Sequence, residues 1–173
     1  MRLKDLKIIN EEVKETANGK RFYYGRFIPH TRFMFIAEMP SIPKDCDPYD
    51  NFNSESSKTD KKIFSVLNEN SFGGSYITDI VKISNIVRRP TDEELLTWRP
   101  LLKREIDIIR PDVIIAVGGS AYKILHKHKD FLGINVPIEE IYHPAQMTIT
   151  WKEYCEKIEH LSIKYRHLRS SEN

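Results

Sequence analysis

Apolar and polar residues switch between two periods along this chain. Leu3, Leu6, Ile9 and Val13 recur at three- and four-residue steps, which predicts an amphipathic helix ending near Asn18-Gly19. FMFIAE (33–38) is instead an unbroken run of strand formers that stops on Glu38 and a Pro-Ser turn. The polar stretch SIPKDCDPYDNFNSESSKTD that follows is too long for an ordinary connection, and loops of this length are usually functional or mobile. KKIFSVLNEN predicts a helix and SYITDIV (75–81) a second strand. TDEELLTWRPLLKREIDIIR predicts a helix opened by Thr91 with an acidic first turn, kinked or split at Pro100. PDVIIAVGG (111–119), continuous in Val, Ile and Ala, has the pattern of a parallel strand covered on both faces. SAYKILHKH then predicts a helix, EEIYH (139–143) a fourth short strand, and a last helix runs from about Ile149 to His167. The aromatic segment RFYYGRF (21–27) suits a small hairpin packed on the sheet.

Strands alternating with helices imply an α/β fold, a three-layer α/β/α sandwich around a four-stranded parallel sheet. No repeat or composition shift divides residues 1–173, so one domain with one core is expected. With 27 Lys+Arg against 25 Asp+Glu, the net charge of +2 neither demands nor excludes nucleic acid. Cys46 and Cys155 are too far apart to form a CxxC pair, which fits a reducing cytoplasm. The charged N-terminus has no signal-peptide core and no apolar run approaches the ~20 residues that span a bilayer. A soluble cytoplasmic protein is expected. His126 and His128, two apart on a helix, point to different sides, so no metal is expected there.

The candidate chemistry stands at the strand ends. Glu38-Met39-Pro40-Ser41, Asp79, Gly118-Gly119-Ser120 and His143-Pro144 all lie toward C-terminal ends, which share one edge in a parallel sheet. Two carboxylates, a glycine-rich helix start and an imidazole would then converge on one crevice. The amides opening the helix at Gly-Gly-Ser would favour an anion such as phosphate, although a glycine pair at such a turn equally serves packing.

This pattern resembles the uracil-DNA glycosylase superfamily over about Phe33 to Ala145. IAEMPS is similar to its first motif, of the type G-E-A-P-G, and YITDIVKI to the Y-x-T-N-L-V-K strand of the iron-sulfur branch. RPLLKREIDIIRPDVIIAVGGSAYKIL resembles its helix-strand-helix unit, and IYHPA its second catalytic motif, His-Pro-Ser or His-Pro-Ala. The resemblance implies hydrolysis of the bond joining a damaged base to deoxyribose, on DNA that includes single-stranded or mismatched substrates. It assigns His143 to the leaving base's oxygen, and Glu38 with Asp45 or Asp47 to the sugar cation or the water. Phe52, or Tyr49, would stack on the flipped base, with Asp79 and Met39 beside it. Ser41, Gly119 and Ser120 would grip the flanking phosphates.

The chain also departs from that pattern. The iron-sulfur branch holds its cluster with four cysteines, and two are present here, so neither cofactor nor metal is expected. Met39 stands where the most active branch has a water-activating Asp, and Asp79 where uracil readers have Asn. Bland alternatives stay open: His143 as a hydrogen-bonded strand-end histidine, Glu38 as half of an ion pair, Asp79 paired with Lys82, and Phe52 in the core. The expected function is base excision by a monomeric, membrane-free glycosylase for a deaminated base such as uracil. The alternative is a catalytically weak or inactive nucleic-acid-binding module of the same fold. A small-nucleotide hydrolase is a weaker third, because no acidic cluster suggests Mg²⁺.

Overall fold

A computed structural model describes residues 2–26, 32–40, 48, 66–67, 70, 72, 75–84, 89–143 and 148–168. The order is α1 (Arg2–Ala17), β1 (Phe33–Ala37), β2 (Tyr76–Asp79), α2 (Asp92–Ile109), β3 (Val113–Val117), α3 (Gly119–Lys127), α4 (Lys129–Leu132), β4 (Ile138–Ile141) and α5 (Trp151–Lys164), closed by a 3₁₀ turn at Arg166–Leu168. The four strands pair in the order β2-β1-β3-β4, all parallel. Among the described residues, no helix is long and apolar enough to cross a membrane.

Alternation along the strands fills two cores. Met34, Ile36, Ile114 and Ala116 point to one face and pack with α1, α2, α3 and α4. Phe33, Phe35, Ile77, Val113, Ile115 and Val117 point to the other, against Tyr154, Ile158 and Leu161 of α5 and the helical pair Val66-Leu67. Helices thus cover both faces, and the three-layer α/β/α expectation holds. β1 and β3 are buried at every position, as their unbroken apolar runs require.

Two local expectations are corrected. Of the kink or split expected at Pro100, the split is excluded, since α2 is continuous from Asp92 to Ile109. Pro100 is on the exposed side, so the backbone carbonyl it leaves unbonded can face water, while Trp98, Leu101 and Leu102 anchor the helix from the other side. The 21–27 segment is no self-contained hairpin. Its described part runs antiparallel beside β2, with bridges Phe22 to Ile83 and Arg26 to Ile77. The reason is the edge position of β2, whose outer backbone groups need partners. Gly25 permits this close approach, because a Cβ there would lie 2.0 Å from the Tyr76 hydroxyl.

Candidate active site at the strand ends

From β1 the chain builds outward to β2, then returns to place β3 on the other side of β1. The order therefore reverses between β1 and β3, and such a switch point opens a crevice at the C-terminal ends of the strands. The register brings the candidate residues level there. Ile36 lies opposite Ala116, Ala37 opposite Asp79, and Val117 opposite Ile141. Glu38, Asp79, Gly118 and His143 are each within two residues of those paired positions.

Direct contacts tie them together. The Ser120 hydroxyl donates to Glu38 Oε1 at 2.7 Å, bridging the start of α3 and the end of β1 across the switch point. A hydroxyl has one proton to give, and this one goes to the carboxylate. An anion in front of α3 is left with backbone amides, and Gly118 caps that helix without a side-chain hydrogen bond. Gly118 sits at φ 93 and ψ 151, a conformation essentially confined to glycine. It also packs on the last candidate, since a Cβ at Gly118 would stand 3.1 Å from His143 Cβ. The Gly118 N–H donates to the Ile141 carbonyl at 2.8 Å, which fixes the strand leading into the exposed His143.

Asp79 is buried at 2 % exposure, whereas Glu38 is half-buried. Met39 is half-buried as well, with its side chain against the core on the α2 side. Lys82 does not use its ammonium on the Asp79 carboxylate. Its three donors go to Glu105 Oε2 at 2.6 Å, the Thr78 hydroxyl at 2.5 Å and the Asp79 backbone carbonyl at 2.7 Å. In place of the alternative Asp79–Lys82 ion pair stands a Lys82–Glu105 pair, 1 % exposed at each side chain. Tyr76 adds a 2.8 Å bond from its hydroxyl to Glu105 Oε1, and burial, reinforced by the adjacent carboxylate, pushes its ionisation well above the ordinary range, so it remains a donor. Glu105 was missed by sequence reasoning, although a signal existed: it falls inside the buried stripe that α2 forms from Trp98, Leu101, Leu102, Ile106 and Ile109. A charge in such a stripe demands a buried partner.

Ser41, Asp45, Asp47, Tyr49 and Phe52 lie outside the described residues, as do Pro144, Ala145 and most of the helix expected over 61–70. A four-cysteine cluster does not fit this chain. Its sequence supplies Cys46 and Cys155 alone, and Cys155 is half-buried on α5 against the second core.

The family model described as the uracil DNA glycosylase superfamily matches residues 24–168. The chain belongs to the uracil-DNA glycosylase superfamily. A type-4 uracil-DNA glycosylase of Saccharolobus solfataricus is 27% identical over 161 residues, covering 89% of this chain and 72% of that protein. The crystal structure of SMUG2 from Pedobacter heparinus superposes with a TM-score of 0.52 at 12% identity, over 94% of this chain and 98% of that one, which is a likeness of fold. With the family comes the class of function, glycosylase chemistry on damaged bases in DNA.

Proposed function

We propose that this chain, as one uracil-DNA glycosylase-like domain in the cytoplasm, excises a deaminated base such as uracil by hydrolysing its N-glycosidic bond. The observation that carries the reading is the Ser120–Glu38 hydrogen bond across the β1/β3 switch point, beside His143 packed on Gly118. As the base leaves, its oxygens gain negative charge and the sugar becomes oxocarbenium-like. The exposed imidazole of His143 donates to the base oxygen. Glu38, with one oxygen engaged by Ser120, presents its other oxygen to the sugar cation or to the attacking water. The first-turn amides of α3, at Gly119 and after it, take a phosphate beside the flipped nucleotide. Asp79 faces the base edge, and from the sequence Asp45, Phe52 and Ser41 supply a second carboxylate, the stacking ring and a further phosphate contact. No step needs a metal or cluster.

One observation favours a second reading, a nucleic-acid-binding module without catalysis. Met39 turns an apolar side chain to the core where the most active relatives carry a carboxylate. An oligonucleotide panel containing uracil, hypoxanthine, xanthine or mismatches, single-stranded and duplex, treated with alkali after incubation, tests both. Strand breaks at the modified base are expected. DNA that is retarded in a gel yet intact would mean the binding module, and turnover of free nucleotides alone would refute both.

A further inference from the structure

We propose that the buried Lys82–Glu105 pair is a positioning device for the acidic side of the site: it holds the turn from Asp79 to Lys82, and through that turn the two strand ends carrying Asp79 and Glu38. The proposal rests on the glycosylase reading for its effect on rate, but not for its effect on structure.

The turn is bonded in two directions. Toward β1, the Ile80 N–H donates to the Ala37 carbonyl at 2.8 Å and the Val81 N–H to the Glu38 carbonyl at 3.1 Å. Toward β2, Lys82 reaches back to the Asp79 carbonyl, and its other two donors end on Glu105 and Thr78. The Asp79–Ile80 peptide is therefore held at both of its polar atoms, the carbonyl by an ammonium and the N–H by Ala37. Its rotation would move the Asp79 side chain and release the end of β1 where Glu38 begins.

Burial makes this hold rigid. Glu105 is 0 % exposed and Lys82 1 %, and Glu105 further accepts from Tyr76 and from Thr78, whose hydroxyl stands 3.3 Å from each carboxylate oxygen. The segment at Gly25 closes over the Tyr76 hydroxyl on the outer side. Stability alone does not explain such a pair, because apolar residues of similar volume commonly replace a buried ion pair with no loss. An apolar side chain at position 82, however, would leave the Asp79 carbonyl without its ammonium. The charge is needed where that carbonyl must be aimed.

The test is the double variant Lys82→Met/Glu105→Leu, which strands neither charge. In the folded variant, kcat for excision from a uracil-containing duplex is expected to fall by roughly 10²-fold, the scale of a small misplacement near reacting groups, while KM stays within about twofold. Hydrogen exchange at the Ile80 and Val81 amides is expected to accelerate while the amides of β3 keep their protection. Native kcat in the folded double variant overturns the proposal, and so does a loss confined to KM. If the native protein excises none of the bases, the glycosylase reading fails by itself and exchange decides this one: unchanged protection of Ile80 and Val81 refutes it. Should the double variant not fold, Thr78→Val keeps the charge pair and removes one acceptor of Lys82. A roughly tenfold loss of kcat is expected from it, and native kcat with native exchange would refute the proposal.

Discussion

Ser120 and Glu38, 82 positions apart in the chain, meet in a 2.7 Å hydrogen bond that spans the point where the strand order reverses. The bond gives the carboxylate one fixed oxygen. A hydrogen bond to a charged group contributes about 1.5–3 kcal/mol. Ser120→Ala should therefore lower kcat for base excision by roughly tenfold or more. DNA affinity should hold, since the serine proton is not offered to phosphate. Ser120→Thr, which keeps the hydroxyl, should recover most of the rate. Single-turnover rates with binding titrations for the three proteins check this, and a loss of affinity at unchanged rate would return Ser120 to a phosphate-gripping role.

His143 makes a sharper case. Removing one donor aimed at a developing anion costs roughly 10²–10³ in kcat. His143→Ala should lose excision on that scale with DNA binding barely changed, because the residue is exposed at the strand end. Full excision by the variant would restore the bland reading of a strand-end histidine.

Gly118 links backbone strain to that imidazole. Its φ of 93 is open to glycine and costly for other residues, about 1–3 kcal/mol. The added methyl of Gly118→Ala would also meet His143 Cβ at 3.1 Å. The variant should melt several degrees lower and excise more slowly than its residual folded fraction accounts for. A melting curve and a rate measured well below the transition separate the two effects. A lower melting temperature with native rate would show that His143 tolerates the displacement.

The centre of the sheet was legible because β1 and β3 are covered on both faces: FMFIA and VIIAV have no polar interruption, and every one of their positions is buried. Glu38 was legible for the same reason, as the residue at which FMFIA stops, whereas Asp79 and His143 were legible as polar residues at the ends of shorter runs. What the local pattern could not give was partnership across the chain. Lys82 has Asp79 three positions away, yet pairs with Glu105 from α2, because the helix buries that carboxylate directly over the Tyr76–Thr78 face. Ser120 was legible as a helix-start residue but not as the partner of Glu38, since that contact exists only once β3 lies beside β1. The alternation of RFYYGRF predicts an extended hairpin, but the open edge of β2 is the stronger demand, and it takes up Phe22 and Arg26 instead.

Glu139 provides a test of the fold by pH. Burial pulls its pKa up, but hydrogen bonds from Lys164 and Tyr165, each 2.6 Å to Oε1, outweigh this and hold it below the ordinary carboxylate value. A depressed folded value stabilises the protein above the unfolded pKa, about 4.3 for Glu. That contribution is lost as the pH falls through the folded value. Native protein should melt above Glu139→Gln at neutral pH, and the gap should close between about pH 5 and 3. A gap that stays constant through acid would mean that the charge of Glu139 contributes nothing to the attachment of α5 to β4.

Asp79 bears on which base is chosen. It ends β2 opposite Ala37, one residue before the turn held by Lys82, and its side chain is buried at the sheet edge. An ionised carboxylate accepts hydrogen bonds and donates none, whereas an amide does both. Uracil offers an acceptor at O4 beside a donor at N3, so an amide matches both groups and a carboxylate matches one while repelling the other. Bases bearing an exocyclic amine in place of O4 reverse that preference. Asp79→Asn should therefore raise uracil excision relative to the native chain and lower excision of any amine-bearing base that the native chain accepts. The hold of Lys82 on this strand end is kept in the variant, because its ammonium bonds to the backbone carbonyl of residue 79 and not to its side chain. The comparison needs rates for uracil opposite guanine and in single-stranded DNA, for both proteins. A folded Asp79→Asn variant with unchanged base preference would mean that the carboxylate does not meet the base, and that the strand end matters for its peptide alone.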